Sequence, residues 1–333
     1  MKTLFSAVAV SIVALSAAAM ADDVKIKPAI VFDMGGRHDK SFNEGIDHGA
    51  MKFQKESGIK YLGLEVTNEA QREQFLREAA KKGHDPVIAV GFAQADALSK
   101  VAKEFPNTHF AIIDMVVDLP NVQSIVFKEH EGSFLAGMLA AMKSKTHTVG
   151  FVGGMDIPLI RRFECGYVQG AKYADPTVKV LQNMTGTTPA AWNDPAKGGE
   201  LAKSQIEQGA DVVYAAAGGT GQGVYKAAAD AGKLAIGVDS NQNELQPGHM
   251  LTSMVKRVDV ATEDTFKAAK AGTWKPGFNV FGLKENGVGL AFDEENKPLV
   301  TGEMKKKIDA AREEIISGKI QVHDYMSDNA CPA

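Results

Sequence analysis

Cysteine is almost missing from this chain, with two in 333 residues. That excludes a disulfide-dense scaffold and a four-cysteine zinc site. A basic excess is missing too: 37 Lys and Arg face 41 Asp and Glu, a formal net charge of −4. Neutralising phosphates needs clustered Lys and Arg, so no nucleic-acid partner is expected. Glycine and proline, 33 and 12 residues, and a charged fraction of 23% describe a globular chain, neither collagen-like nor disordered. There is no H-E-x-x-H and no G-x-S-x-G, the local signatures of two hydrolase chemistries. The eight histidines are scattered, none beside a cysteine or carboxylate at metal-ligand spacing. No catalytic group, metal or cofactor is therefore expected. Past the N-terminus no apolar run reaches the roughly 18 residues of a membrane span.

What is present begins at the N-terminus. Met1-Lys2-Thr3 precedes the uncharged run LFSAVAVSIVALSAAAM, which ends in Ala19-Met20-Ala21 before Asp22-Asp23. One basic residue, a short apolar segment and an A-x-A site predict a signal peptide over 1–21. No cysteine follows the cleavage site, so a soluble, non-lipidated exported protein is expected. At roughly 150 residues per domain, the length suggests two domains.

Along the mature chain, short apolar runs alternate with amphipathic stretches. Strands are predicted at 27–33, 60–66, 86–92, 109–114 and 123–127, with helices at 42–57, 68–82 and 95–104. After a helix at 131–143 the pattern restarts. Strands are predicted at 148–153, 179–184, 211–217, 234–239 and 250–256, around helices at 158–174, 195–208 and 221–231. A helix at 301–318 and a strand-like 319–322 close the chain. Continuous apolar strands separated by helices imply parallel sheets covered on both faces, here in two similar α/β lobes.

In open α/β sheets the ligand lies beyond the carboxyl ends of the strands. Those ends carry Asp33, Phe92, Asp114, Ala217-Gly218-Gly219, Asp239 and Lys256. An Asp ending a strand can be a helix cap or turn former. Three at matched positions in two lobes point instead to a shared polar cleft accepting ligand hydroxyl or N–H groups. Phe42 opens a helix after the polar loop 33–41, and Trp192 lies in the matching loop of the second lobe. Two such aromatics could sandwich a planar ring, at about 1–3 kcal/mol per stacked base. The Gly-rich turn at 217–223 lacks a P-loop's Lys-Ser/Thr and the G-x-G-x-x-G spacing, which favours backbone contacts to a neutral ligand. Cys165 lies in a helix with no base identified beside it. A Cys165–Cys331 disulfide, pinning the C-terminus to the second lobe, is the simpler reading in an oxidising compartment.

The stretches DMGGRHDKSFNEG (33–45), EGSFLAGMLAA (131–141), VGFVGGMDIPLIRRFECGYVQGA (149–171), AAGGTGQGV (216–224) and IGVDSNQ (236–242) carry a further signal. In their order and spacing the chain resembles the basic membrane protein family, purine-nucleoside receptors of ABC transporters. The resemblance implies the type I periplasmic-binding fold, with two similar lobes joined by three crossovers. It implies that Asp33 and Asn43 contact the ligand, Phe42 stacks on the base and Asp114 bonds it. Asp239 would accept from the ribose with Lys256 beside it. Gly218 and Gly219 would give backbone contacts, and Trp192 would be the second stacking aromatic. With crossings near 145, 256 and 290, the first lobe is expected at 24–145 and 257–288, the second at 146–256 and 289–333. The implied protein is a monomeric periplasmic receptor, not an enzyme, that hands a nucleoside to an inner-membrane permease. A receptor for a sugar or other small molecule, and a secreted nucleoside hydrolase using the cleft aspartates, are the competing readings.

Overall fold

The computed structural model describes residues 25–332, so the expected signal peptide at 1–21 lies outside the described residues. In chain order the first elements are β1 (Ala29–Phe32), α1 (Phe42–Ser57), β2 (Leu62–Glu65), α2 (Ala70–Lys81), β3 (Val87–Val90), α3 (Ala95–Glu104), β4 (Phe110–Ile113) and β5 (Val122–Phe127). Next come α4 (Glu129–Lys143), β6 (Thr148–Met155), α5 (Pro158–Ala174), β7 (Lys179–Gly186), α6 (Pro195–Glu207), β8 (Val212–Ala216), α7 (Gly221–Asp230) and β9 (Leu234–Asp239). The last are β10 (Met250–Lys256), α8 (Val258–Lys270), β11 (Gly277–Phe281), β12 (Val288–Leu290) and α9 (Gly302–Ile316).

Two six-stranded sheets result, ordered β2-β1-β3-β4-β5-β11 and β7-β6-β8-β9-β10-β12. Every pairing is parallel except β12 on β10. Strands β1, β3 and β4 are buried along their whole length, because helices cover both faces of a parallel sheet. Each sheet reverses strand order beside its first strand, which opens a crevice at the carboxyl ends of β1 and β3, and of β6 and β8.

The structure moves the first expected crossing. Helix α4, expected in the first lobe up to residue 145, packs backbone to backbone on α5. A Cβ at Gly137 would stand 2.0 Å from the Tyr167 carbonyl oxygen, and one at Gly170 would stand 1.8 Å from that of Phe134. The chain therefore crosses between β5 and α4, near residue 128. A helix apolar on nearly every side, as α4 is, announces burial but not which sheet it covers. The second crossing follows Lys256. Helix α8 returns to pack on α1, where Phe53 and Phe266 stand edge to face at 5.4 Å, and β11 joins β5 in the first sheet. The third lies between Phe281 and Val288, earlier than 290, because β12 already pairs with β10.

The expected strand-like segment at 319–322 forms no strand. The tail instead runs along α5, where Gln169 donates from Nε2 to the His323 carbonyl (3.0 Å) and accepts from the His323 N–H (2.8 Å). Cys165 and Cys331 form a disulfide, with Cα atoms 5.5 Å apart.

Candidate ligand-binding site

Between the carboxyl ends of the two sheets lies a cavity lined by residues of both lobes. Its first-lobe lining is Asp33, Gly35, Asp39, Phe42, Asn43, Phe92 and Asp114. The second lobe brings Leu159, Ile160, Phe163, Trp192, Ala216, Ala217, Gly218, Val238, Asp239 and Lys256. The lobes are closed on one another. Across the cleft, Ser41 Oγ donates to Asp239 Oδ2 (2.5 Å), Ser240 Oγ to the Ser41 carbonyl (3.0 Å) and Gln242 Nε2 to the Lys40 carbonyl (2.7 Å).

Asp39 organises the polar wall. Its Oδ1 accepts from the Ser41 and Glu44 N–H groups (2.8 and 3.1 Å), and its Oδ2 from the Asn43 N–H (3.0 Å) and Asn43 Nδ2 (3.1 Å). It thus satisfies the open N–H groups at the start of α1 and fixes Asn43. Asn43 Oδ1 in turn accepts from the Asp33 N–H (3.3 Å). Asp33 stands 3.5 Å from Arg72 Nη2 and crowds Gly91, whose φ of +89° and 2.9 Å Cβ-to-carboxylate clearance leave no place for a side chain. On the opposite wall the Trp192 indole lies directly on Gly154, where a Cβ would come within 2.3 Å of the ring.

Lys256, 2% exposed, is the only cation lining the cavity among the described residues. Its Nζ donates to Asp114 Oδ2 (2.6 Å) and Glu129 Oε1 (3.1 Å). The ammonium also sits 5.0, 5.2 and 5.5 Å from the ring centroids of Phe42, Phe127 and Phe163, an attraction of cation to ring quadrupole. Burial alone would lower its pKa, but Asp114, Glu129 and Asp239 outweigh that and hold it above the usual range. Asp114 is pushed up by burial, opposed by Lys256. Burial also raises Asp239, against Lys256 and the Ser41 hydroxyl. Burial raises Asp33, against the Met34 N–H and Arg72. Asp39 is pushed up to about 6 by burial, against its three backbone donors. Asp114 Oδ1 is buried without a partner in the protein, so a carboxylate oxygen is left for a ligand donor at the cavity wall.

Of the residues expected from sequence, Asp33, Phe42, Asn43, Phe92, Asp114, Trp192, Gly218, Asp239 and Lys256 line one cavity. Gly219 is not among the lining residues; it packs near the Trp192 carbonyl, 3.3 Å from where its Cβ would be. Missed as lining were Gly35, Asp39, Ala216, Val238 and the patch Leu159, Ile160 and Phe163. That patch had a signal: it is the start of a helix following a strand's carboxyl end. Glu129, which is 0% exposed and reaches the cavity only through Lys256, was missed as well.

Comparison with known proteins places this architecture. The family model for Bmp, described as ABC transporter substrate-binding protein PnrA-like, matches residues 26–325. The chain belongs to the Bmp family. The nucleoside-binding protein BmpA of Lactococcus lactis, an ABC transporter component, is 34% identical over 89% of each chain. An uncharacterized lipoprotein of Pyrococcus horikoshii is 39% identical over 79% of this chain and 68% of its own. Among solved structures, an ABC transporter solute-binding protein of Aeropyrum pernix superposes with a TM-score of 0.83 at 28% identity, over 89% and 93% of the two chains. This Bmp-family chain therefore has the type I periplasmic-binding fold and is a substrate-binding protein of the ABC-transporter class. No helix among the described residues is long and apolar enough to cross a membrane.

Proposed function

We propose that this protein captures a purine nucleoside between its lobes and delivers it to an ABC permease. The observation that carries this reading is the electrostatics of the cavity. Four aspartates face it, and its one lysine is already paired with Asp114 and Glu129. Such a wall accepts hydrogen bonds from the hydroxyls and N–H groups of a neutral ligand and repels a phosphate. Phe42 and Trp192, from opposite lobes, supply faces for a planar base, and the nucleoside-binding relative supports the same class. In this reading Asp114 takes the base, Asp239 and Lys256 the ribose, and Asp33, Asn43, Phe92 and Gly218 complete the contacts. Hinge closure over the ligand presents the docking form to the permease. The protein works in the periplasm as a monomer, released by cleavage after Ala21 without a lipid. An intact mass beginning at Met1, or carrying a lipid, would contradict that last point.

A thermal-shift panel tests the ligand class. A ligand at 100 times its Kd adds about 2.7 kcal/mol, so adenosine, guanosine or inosine should raise Tm while uridine and free monosaccharides do little. A shift with monosaccharides alone would favour a sugar receptor. Release of hypoxanthine from inosine would favour a hydrolase.

A further inference from the structure

Behind the cavity, charged groups alternate in sign all the way to the C-terminal tail. Asp114 bonds Lys256, and Lys256 bonds Glu129 Oε1. Glu129 Oε2 accepts from Arg162 Nη1 at 3.0 Å. Arg162 then grips Asp324 through two parallel bonds, Nε to Oδ1 and Nη2 to Oδ2, each 2.8 Å. Arg162 also donates to the Phe127 carbonyl at 2.9 Å, so it ties together the first crossing, the second-lobe helix and the tail. The tail itself is fastened by one stripe of α5. Arg162, Cys165 and Gln169 follow at helical spacings of three and four, and they hold Asp324, Cys331 and His323 respectively.

Lysine is a compact charge on a flexible stem, and its ammonium has three donors. Asp114 and Glu129 take two of them, which fixes the direction of the third. Glu129 keeps its own orientation because Arg162 holds its other oxygen, and the planar guanidinium is set by the bidentate bond to Asp324. Lys256 and Glu129 both stand at chain crossings, where the two lobes are joined. We infer that Glu129 is a positioning residue for the cavity lysine. Arg162 and Asp324 support it from behind, so the disulfide-pinned C-terminal tail tunes ligand affinity. The inference rests on the cavity being the ligand site; the nucleoside reading enters only through the probe.

Two readouts separate the two ideas. In the unliganded protein, the Lys256 ammonium should give a slowly exchanging proton–nitrogen signal, assigned by its loss in Lys256→Met. Glu129→Gln and Asp324→Asn should each shift that signal. With inosine as probe, Glu129→Gln should weaken binding roughly 30-fold and Asp324→Asn roughly 5-fold. The double variant should bind no more weakly than Glu129→Gln alone, since the tail acts through Glu129. Asp324→Asn lies at the half-exposed end of the chain and carries the test if Glu129→Gln does not fold. An Asp324→Asn protein with an unchanged Lys256 signal and wild-type affinity would overturn the inference, as would losses that multiply in the double variant. If the wild type ignores inosine, the nucleoside reading fails and the ammonium signal alone decides the positioning role.

Discussion

The first lobe faces the cavity with Asp33, Asp39, Asn43 and Asp114 beside Phe42 and Phe92. The second faces it with Leu159, Ile160, Phe163, Trp192, Ala216, Ala217 and Val238, and sets only Asp239 and Lys256 among them. The polar wall is pre-organised: Asp39 is locked into the start of α1, Asn43 is held by Asp39 and Asp33, and Asp114 is held by Lys256. The apolar wall makes few directional demands and excludes water when the lobes meet. The contrast teaches a division of labour. The first lobe offers most of the hydrogen-bonding groups, and the apolar side chains around Asp239 and Lys256 lower the dielectric in which such bonds act.

The largest effect should come where the walls are joined. Lys256→Met leaves Asp114 and Glu129 buried without their shared cation, so unfolding free energy should fall by about 3–5 kcal/mol and ligand binding should vanish. Denaturant titration checks the first and calorimetry the second. A variant as stable as the wild type would break the claim that this lysine ties the walls. Next in size, Asp114→Asn weakens the acceptor that the polar wall offers. Since hydrogen bonds to charged groups are worth about 1.5–3 kcal/mol, nucleoside Kd should rise roughly 10- to 100-fold. On the apolar wall, Trp192→Ala should remove about 1–3 kcal/mol of stacking, read mainly as faster dissociation in stopped flow. Equal losses in association and dissociation rates would blur the division between walls.

The smallest effect concerns the polar wall without ligand. Asp39 titrates near 6 in the folded protein instead of near 3.8, because burial disfavours its charge. The folded state therefore holds a proton that the unfolded chain has released between those values. Stability from this group is highest below about pH 4 and falls as pH rises through about 6, by about 1.4 kcal/mol between pH 5 and 7.5. Tm of the unliganded protein should rise as pH is lowered from 7.5 to 5, and Asp39→Asn should flatten that slope. An unchanged slope in the variant would assign the pH response to other groups.

Much of this was legible from residues because parallel strands buried on both faces must be apolar and must end at the cleft. VIAV at β3 and LAIGVD at β9 say so without help. The polar loop before Phe42 was equally readable. What stayed hidden depends on contacts between segments far apart in sequence. Helix α4 is apolar on most sides, so its pattern could not say that it covers the second sheet. Strand β12 has three residues and runs antiparallel to β10, too short for any periodicity. Glu129 lies just before the predicted helix at 131–143 and stood out in no pattern; only the meeting of two crossings places it against Lys256. Gly219 follows Gly218 in a turn where only one of the two reaches the cavity.

The account stands most directly on calorimetry with adenosine and AMP on protein freed of bound ligand. It predicts one nucleoside per chain and no measurable AMP binding, since the paired lysine leaves no free cation for a phosphate beside four aspartates. Tight AMP binding with no response to adenosine, guanosine or inosine would contradict it.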